Sequence, residues 1–579
     1  MARDFVPYPF ERRDRPAEMP PLADGVDRQR RPVVVVGGGP VGLCAALGLA
    51  RYGVPVVVLE LDSSECIGSR AICISRRSLE IIDRLGALAP LLAEGLPWTG
   101  GRSFYRSTEV FRFAMKADAD QRLPPMINIS QARIEAVLHD RIALQSDLID
   151  VRWQNRLSSL VAGPSGARLG VTTPLGQYFI DADWVVAADG GRSTVRDLLG
   201  LRLEGTSYEG RYVIVDIRMD SDRPAERLAY FDPPCNPGTT VLVHKQPAGV
   251  WRIDYQLRED EDADVAVRPE NVMPRVESLL AMMGEHAPWN PIWIALYKAS
   301  ALGLPRYRAG RVLLAGDAAH LVPIFGVRGA NSGIDDADNL AWKLAAVVGG
   351  RAEESLLDSY SEERVAATHE NLAYGTKSTE FMAPPSFAFE LMRTVVLSLA
   401  ERNPEVRSLI NPRQTVPIVY DTSPLNGVDE DALFTAGPRA GAVLPECAIT
   451  LVEAGSARAA YATELLGIGA TPGFTALCFA DRPTPDRDCL ALEAACASIG
   501  LGFRAVTICG EGTADATRPY ALDVAGRLRD LYDGAPGTVY LVRPDGHVLG
   551  RWRRFTVATF LAALEPVLGN RIDSLKAAL

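Results

Sequence analysis

No stretch of this 579-residue sequence approaches the ~20 consecutive apolar residues that a bilayer-spanning helix requires. The opening residues, MARDFVPYPFERRDRP, mix charge and proline without an apolar centre, so no signal peptide is expected. Basic residues are in deficit: 61 Lys and Arg against 72 Asp and Glu leave a net charge of −11, which offers no footprint for nucleic acid or an anionic membrane. Cysteine is sparse. The nine cysteines are an odd number, scattered and without a C-x-x-C pair, the usage of reduced thiols in a cytoplasmic protein. There is no internal repeat, and no metal is expected.

What is present is ordinary globular composition, 47% apolar and 23% charged, in a chain long enough for several domains. Residues 1–31 read as a polar arm with little structure of its own. From Pro32 the pattern is α/β: VVVVGGGP is a buried strand entering a tight turn, VGLCAALGLARYG a helix closed by glycine, and VPVVVLELD a second buried strand. That order is a βαβ unit. Over 208–305 the texture changes to strands such as RYVIVDIRMD, TTVLVHKQ and VWRIDYQL separated by Pro/Gly turns, predicting a mixed or antiparallel sheet to which a segment near 100–125 also contributes. RVLLAGD then returns to the first pattern, with a helix from about Asn331 and helical patterns to about 400. A Pro-rich connection over 401–429 precedes a separate unit, 430–579. There FTALCFA and FRAVTICG are buried strands around a helix, and GTVYLVRPDGHVLGRW is a hairpin turning at Asp545-Gly546.

Three motifs carry chemistry. Gly37, Gly39 and Gly42 fit G-x-G-x-x-G between a strand and a helix that begins at Pro40 and Val41. Such glycines allow a sharp turn and let backbone amides at a helix N-terminus approach a pyrophosphate. Glu60, followed by Leu61, ends the next strand, where a carboxylate can accept from a ribose hydroxyl. WVVAADGGRSTVR ends an apolar strand at Asp189-Gly190, and RVLLAGD ends another at Gly316-Asp317, before the loop HLVPIFGVRGANSG. Two glycine-rich turns far apart in sequence suggest one long ligand touched twice.

With these motifs in this order, residues 32–400 resemble the single-component flavoprotein aromatic hydroxylases of the para-hydroxybenzoate and phenol hydroxylase type. The resemblance implies a Rossmann-like FAD-binding domain (32–207 and 306–400) interleaved with a mixed β-sheet substrate domain (208–305). It likens 430–579 to the thioredoxin-like α/β domain of the phenol hydroxylase branch. It implies FAD and NAD(P)H as cofactors, O2 and a small phenolic aromatic as substrates, and a homodimer. Reduced flavin would form a C4a-hydroperoxide that hydroxylates the ring ortho or para to its hydroxyl. Carried over residue by residue, cofactor contacts would come from the first turn, Glu60, Leu61, Arg70, Gln131, Asp189, Gly316, Asp317, Pro323, Gly329, Ala330 and Asn331. The sequence departs from the family in PIFGVRGAN, where Arg328 is either a charge beside the flavin or a solvated side chain.

On the substrate side, alternation in VWRIDYQL puts Arg252, Asp254 and Gln256 on one face and Trp251, Ile253 and Tyr255 on the other. His244 and Tyr255 are candidates to deprotonate a phenol, Arg252 to meet a substrate carboxylate, and Pro323 to lie by the flavin. In the C-terminal unit Cys478 and Cys489 are eleven residues apart with no close pair, which argues for a structural role. Polyketide hydroxylation or Baeyer–Villiger oxidation, and a non-catalytic flavin sensor, are the alternatives. A disulfide reductase using Cys66 and Cys73 lacks a second nucleotide motif. A flavin halogenase lacks its W-x-W-x-I-P signature.

Overall fold

The run Arg31–Val36 forms strand β1, whose valines are all buried, as befits a strand covered on both faces of a parallel sheet. The structure is a computed structural model describing residues 4–68, 71–117, 120–323, 325–410, 416–427, 429–453, 455–467, 473–483, 487–512 and 518–579. From β1 the chain turns through Gly37–Gly39 into α1 (Pro40–Arg51), with Pro40 in the first turn, where its missing N–H is not needed. It then enters β2 (Val56–Leu59), which pairs with β1 in parallel, Val33 opposite Val56. Helix α2 (Gln131–Ala143) precedes β3 (Ile149–Arg152), parallel beyond β2, and β4 (Gly176–Ala187) lies parallel on the other side of β1. The strand Val312–Leu314 adds in parallel to β4. The chain therefore leaves this sheet after β4 and comes back to it.

Between those visits the chain builds most of a second sheet, which has eight strands among the described residues. Strands β5 (Glu204–Met219), β6 (Arg227–Phe231), β7 (Thr240–Lys245) and β8 (Val250–Gln256) form part of it, helix α3 (Pro269–Met282) follows, and β9 (Trp289–Gly303) pairs with β5. Gly100–Tyr105 joins in parallel beside β6. One face of this sheet, with Val213, Val243, Trp251, Ile253 and Tyr255, is covered by Val272, Val276 and Leu279 of α3. The other carries Tyr212, Phe231 and Leu242 against Phe325 and Met382 of the returning chain. Helices α4 (Gly329–Val348) and α5 (Leu356–Met382) complete the first domain.

The C-terminal unit is a seven-stranded mixed sheet. Strand β10 (Phe474–Phe479), helix α6 (Arg487–Ser498) and strand β11 (Phe503–Cys509) form a parallel β-α-β unit, and β12 (Val539–Val542) with β13 (Val548–Trp552) is the hairpin read from sequence. Gly546 at its turn has φ +82°, a left-handed conformation that favours glycine.

Three readings change. The absence of a close cysteine pair holds only along the chain: the turn from β10 into α6 brings the Cys478 and Cys489 Sγ atoms to 3.7 Å as buried thiols. The N-terminal arm is short of regular structure but docked. Its Tyr8 Oη donates to Asp216 Oδ2 at 2.5 Å in the sheet domain, and Arg13 pairs with Glu65 and Asp140 in the first domain. Within 401–429, Ile418, Tyr420 and Leu425 are buried, so part of the connection is packed core. Among the described residues no helix is long and apolar enough to cross a membrane.

Candidate cofactor and substrate site

The three glycines of the first turn do different jobs. Gly37 has φ +105°, and a Cβ there would lie 2.4 Å from the Ala188 carbonyl oxygen; one on Gly42 would lie 2.0 Å from that of Gly37. Both are demanded by the close approach of chain segments. Gly39 has ordinary extended backbone, and a Cβ on it would meet nothing within 4 Å. Its open side adjoins the N-terminus of α1, whose first turn has no side-chain cap and no acid. Open space beside uncapped amides suits an anionic group. Glu60 closes the other side, its Oε2 accepting from Gly38 N at 2.6 Å and its Oε1 from Asp62 N at 2.8 Å, while burial raises its pKa. Leu61 is half exposed beside it.

The second and third motifs meet this turn. Asp189 accepts from Ser193 Oγ at 2.5 Å and Val195 N at 3.0 Å, a cap for the short helix Thr194–Leu198. From that helix Arg196, the basic residue that ends the WVVAADGGRSTVR motif, donates to the carbonyls of Gly191 (2.7 Å) and Ala318 (3.2 Å), tying one motif to the other. Gly316 has φ +59°; Cβ atoms on Gly316 and Gly333 would lie 3.0 and 2.6 Å from Val41 Cγ2. The two glycine-rich turns are thus packed on each other. Asp317 is exposed at the tip. Asp336 accepts from Gly316 N at 2.9 Å and from Arg364 Nε at 2.5 Å, and with these partners its pKa falls to about 2 despite burial.

Beyond Asp317 the loop runs inward. Pro323 is buried, and a Cβ on Gly375 of α5 would lie 3.3 Å from its Cδ. Helix α4 opens with Gly329 and Ala330. Asn331 then accepts from Ser75 N (2.9 Å) and Ser78 Oγ (2.7 Å) and donates to Val327 O (2.6 Å) and Cys73 O (3.1 Å), joining the loop to the segment 73–78. Val327 stands at φ +55°, unusual for a β-branched residue and typical of strain kept at a functional loop. Arg328 is not solvated: it is buried and donates to Asn371 Oδ1 at 2.9 Å. Gln131 accepts from Ala71 N at 3.4 Å and donates to Glu135 at 2.9 Å, tying Ala71 to the first turns of α2. Arg70 lies outside the described residues. Cys66 and Cys73 bond different partners, Gly68 O and Asn128 Oδ1, and do not form a pair.

The substrate candidates separate by strand face. His244, Arg252 and Arg227 occupy paired positions on β7, β8 and β6, so their side chains share a face, and all three are buried. Arg252 is gripped by Asp216 through two 2.8 Å bonds. Among the described residues the His244 Nδ1 has no hydrogen-bond partner. Burial, then Arg227 and Arg252, hold the imidazole well below its usual pKa and therefore neutral. Burial lifts Asp254 to about 7. Arg227, Arg252 and Asp254 act electrostatically on the buried Cys73 thiol, whose backbone carbonyl accepts from Asn331 of α4. Tyr255 belongs elsewhere: alternation turns it into the core under α3, beside Arg275, so it does not join His244.

Residues 30–373 match the family described as FAD binding domain. The chain is 29% identical over 556 residues to 6-methylpretetramide 4-monooxygenase of Streptomyces rimosus, covering 94% of each chain. It is 29% identical over 399 residues to 3-(3-hydroxy-phenyl)propionate/3-hydroxycinnamic acid hydroxylase of Mycolicibacterium smegmatis, covering 68% of this chain and 70% of that one. The fold superposes on the crystal structure of the flavin-dependent monooxygenase PieE in complex with FAD and substrate with a TM-score of 0.76 at 22% identity, covering 94% of this chain and all of that one.

Proposed function

The chain belongs to the FAD binding domain family, and from that premise we propose that it is an FAD-dependent monooxygenase that uses NAD(P)H and O2 to hydroxylate a phenolic ring ortho or para to its hydroxyl. The observation that carries this reading is the buried polar cluster of His244, Arg227 and Arg252, placed on the sheet face that meets the cofactor domain. Bound FAD would supply the acceptance of electrons from the nicotinamide and the activation of O2. The turn at Gly37–Gly42, Glu60 and the turn at Gly316 would hold its two ends.

The protein's own part is acid–base and spatial. A neutral imidazole with an unpartnered ring nitrogen can accept the phenol's hydrogen bond and take its proton. The guanidinium groups of Arg227 and Arg252 favour the phenolate so formed, whose ring is the better nucleophile. Because Asp216 fixes Arg252 in place, this stabilisation is preorganised. Tyr212, Phe325 and Met382 wall the site with apolar surface that excludes water.

A second reading, a fused polycyclic phenol as substrate, is favoured by the near full-length correspondence with a relative named for 6-methylpretetramide. Anaerobic stopped-flow reduction by NADH and by NADPH, with simple phenols and fused polyphenols, tests both. A phenol that speeds flavin bleaching and then gains one oxygen atom in air supports the proposal, and its ring count decides between the readings. Nicotinamide oxidation without oxygenated product for every stimulating ligand would sink it.

A further inference from the structure

The C-terminal unit does not hang from the flavin domain by a linker; the tip of its hairpin is buried inside that domain. Arg543 donates to Glu363 of α5 through two bonds, Nη1 to Oε1 at 2.6 Å and Nη2 to Oε2 at 2.9 Å, and both side chains are fully buried. Two residues on, the Asp545 carboxylate accepts from Trp342 Nε1 of α4 at 3.0 Å, and its carbonyl accepts from Arg77 at 2.7 Å. His547 stacks on Tyr420 with ring centroids 4.3 Å apart.

This buried tip lies directly behind the second glycine-rich turn. Glu363 is followed in the chain by Arg364, whose guanidinium donates to Tyr420 Oη at 2.9 Å and to Asp336 Oδ1 at 2.5 Å. Asp336 in turn receives the Gly316 amide. Arg364 also donates to Ser332 at 3.0 Å, in the first turn of α4. Hairpin tip and turn at Gly316 are therefore each gripped by charge-assisted hydrogen bonds to α5, through the adjacent residues Glu363 and Arg364, the kind of contact in which geometry is held tightly.

We infer that Arg543 is a positioning residue for the FAD site, and that the C-terminal unit acts as a clamp that fixes the Gly316 turn and the N-terminal end of α4. This inference rests on FAD as the ligand and goes beyond the proposed reaction. It gives the C-terminal unit a task that involves no thiol chemistry.

The test is FAD affinity, read by fluorescence titration of the apoprotein, beside the apoprotein's Tm. Arg543→Gln is compared with Leu477→Ala, which loosens the core of the same unit without touching the ion pairs. Arg543→Gln is expected to weaken FAD binding at least tenfold, and Arg543→Lys, which keeps the charge but not the paired geometry, to fall in between. Leu477→Ala should lower Tm yet leave the FAD Kd within about twofold of wild type. Wild-type affinity in Arg543→Gln, or an equal loss in Leu477→Ala, overturns the inference. Should Arg543→Gln be insoluble, the Lys variant decides: wild-type affinity there overturns it and a loss exceeding that of Leu477→Ala upholds it.

Discussion

Gly39 is the residue at which ligand binding and folding come apart. Its backbone is one any residue adopts and its Cβ direction is empty, whereas Gly42 is pressed against the Gly37 carbonyl. Gly39→Val is therefore expected to fold with a wild-type far-UV spectrum and a Tm within a few degrees, but to be purified colourless, with FAD affinity down at least a hundredfold. Gly42→Val should misfold. A yellow Gly39→Val protein would remove the first turn from the cofactor site. Asp254 makes a second residue-scale prediction. Its pKa is about 7 when folded against an ordinary 3.8, so between those values the native state binds the extra proton and stability falls as pH rises through that window. Asp254→Asn abolishes this slope. Relative to wild type the variant should gain on the order of 1–3 kcal/mol between pH 5 and pH 8, measured by urea unfolding at both pH values; parallel pH profiles would show that Asp254 is ionised throughout.

At the scale of single elements, strand alternation decides which polar side chains reach the chemistry. His244 and Tyr255 look equally suited by residue type, yet register places the first on the sheet face that meets Phe325 and Met382 and the second beneath α3. His244→Gln is expected to lower the rate of hydroxylation by about a hundredfold or more, whereas Tyr255→Phe should stay within about twofold; the reverse order, in single-turnover assays with an accepted phenol, would move the base to Tyr255. The same contrast shows what was legible from sequence. Buried valine runs broken by glycine announce β1, α1 and β2 because strand, turn and helix each depend on neighbours a few residues away. The alternation in VWRIDYQL was equally local, and it already separated Tyr255 from Arg252. Which face meets the cofactor was not legible, since that depends on α3 and on a loop reached from Phe325. Nor was the support behind the Gly316 turn. Asp336, Arg364 and Arg196 meet around the Gly316 turn only when folding brings them together, and the contact of Cys478 with Cys489 exists only because α6 packs near β10.

For the whole molecule, the question is whether the flavin domain and the C-terminal unit are separable. Glu363 and Arg543 lie 180 residues apart in sequence and pair with no exposure to solvent. Breaking such a pair by removing one partner costs about 3–5 kcal/mol, a large part of the ~5–15 kcal/mol that holds a domain folded. Apolar surface is shared as well: Trp342 and Leu356 of the flavin domain belong to one buried cluster with Phe474, Leu541 and Phe560. A chain ending at residue 429 would expose Trp342 and leave Glu363 with Lys343, Asn339 and Ser423 as its remaining side-chain partners. Such a truncation is expected to be insoluble or to unfold well below the intact protein. The intact protein should melt in a single calorimetric transition whose Tm rises as a whole with added FAD, because ligand bound to one part then stabilises both. Two transitions, with FAD moving only the first, would show that the hairpin tip is a contact rather than a common core and would free the C-terminal unit from the flavin site.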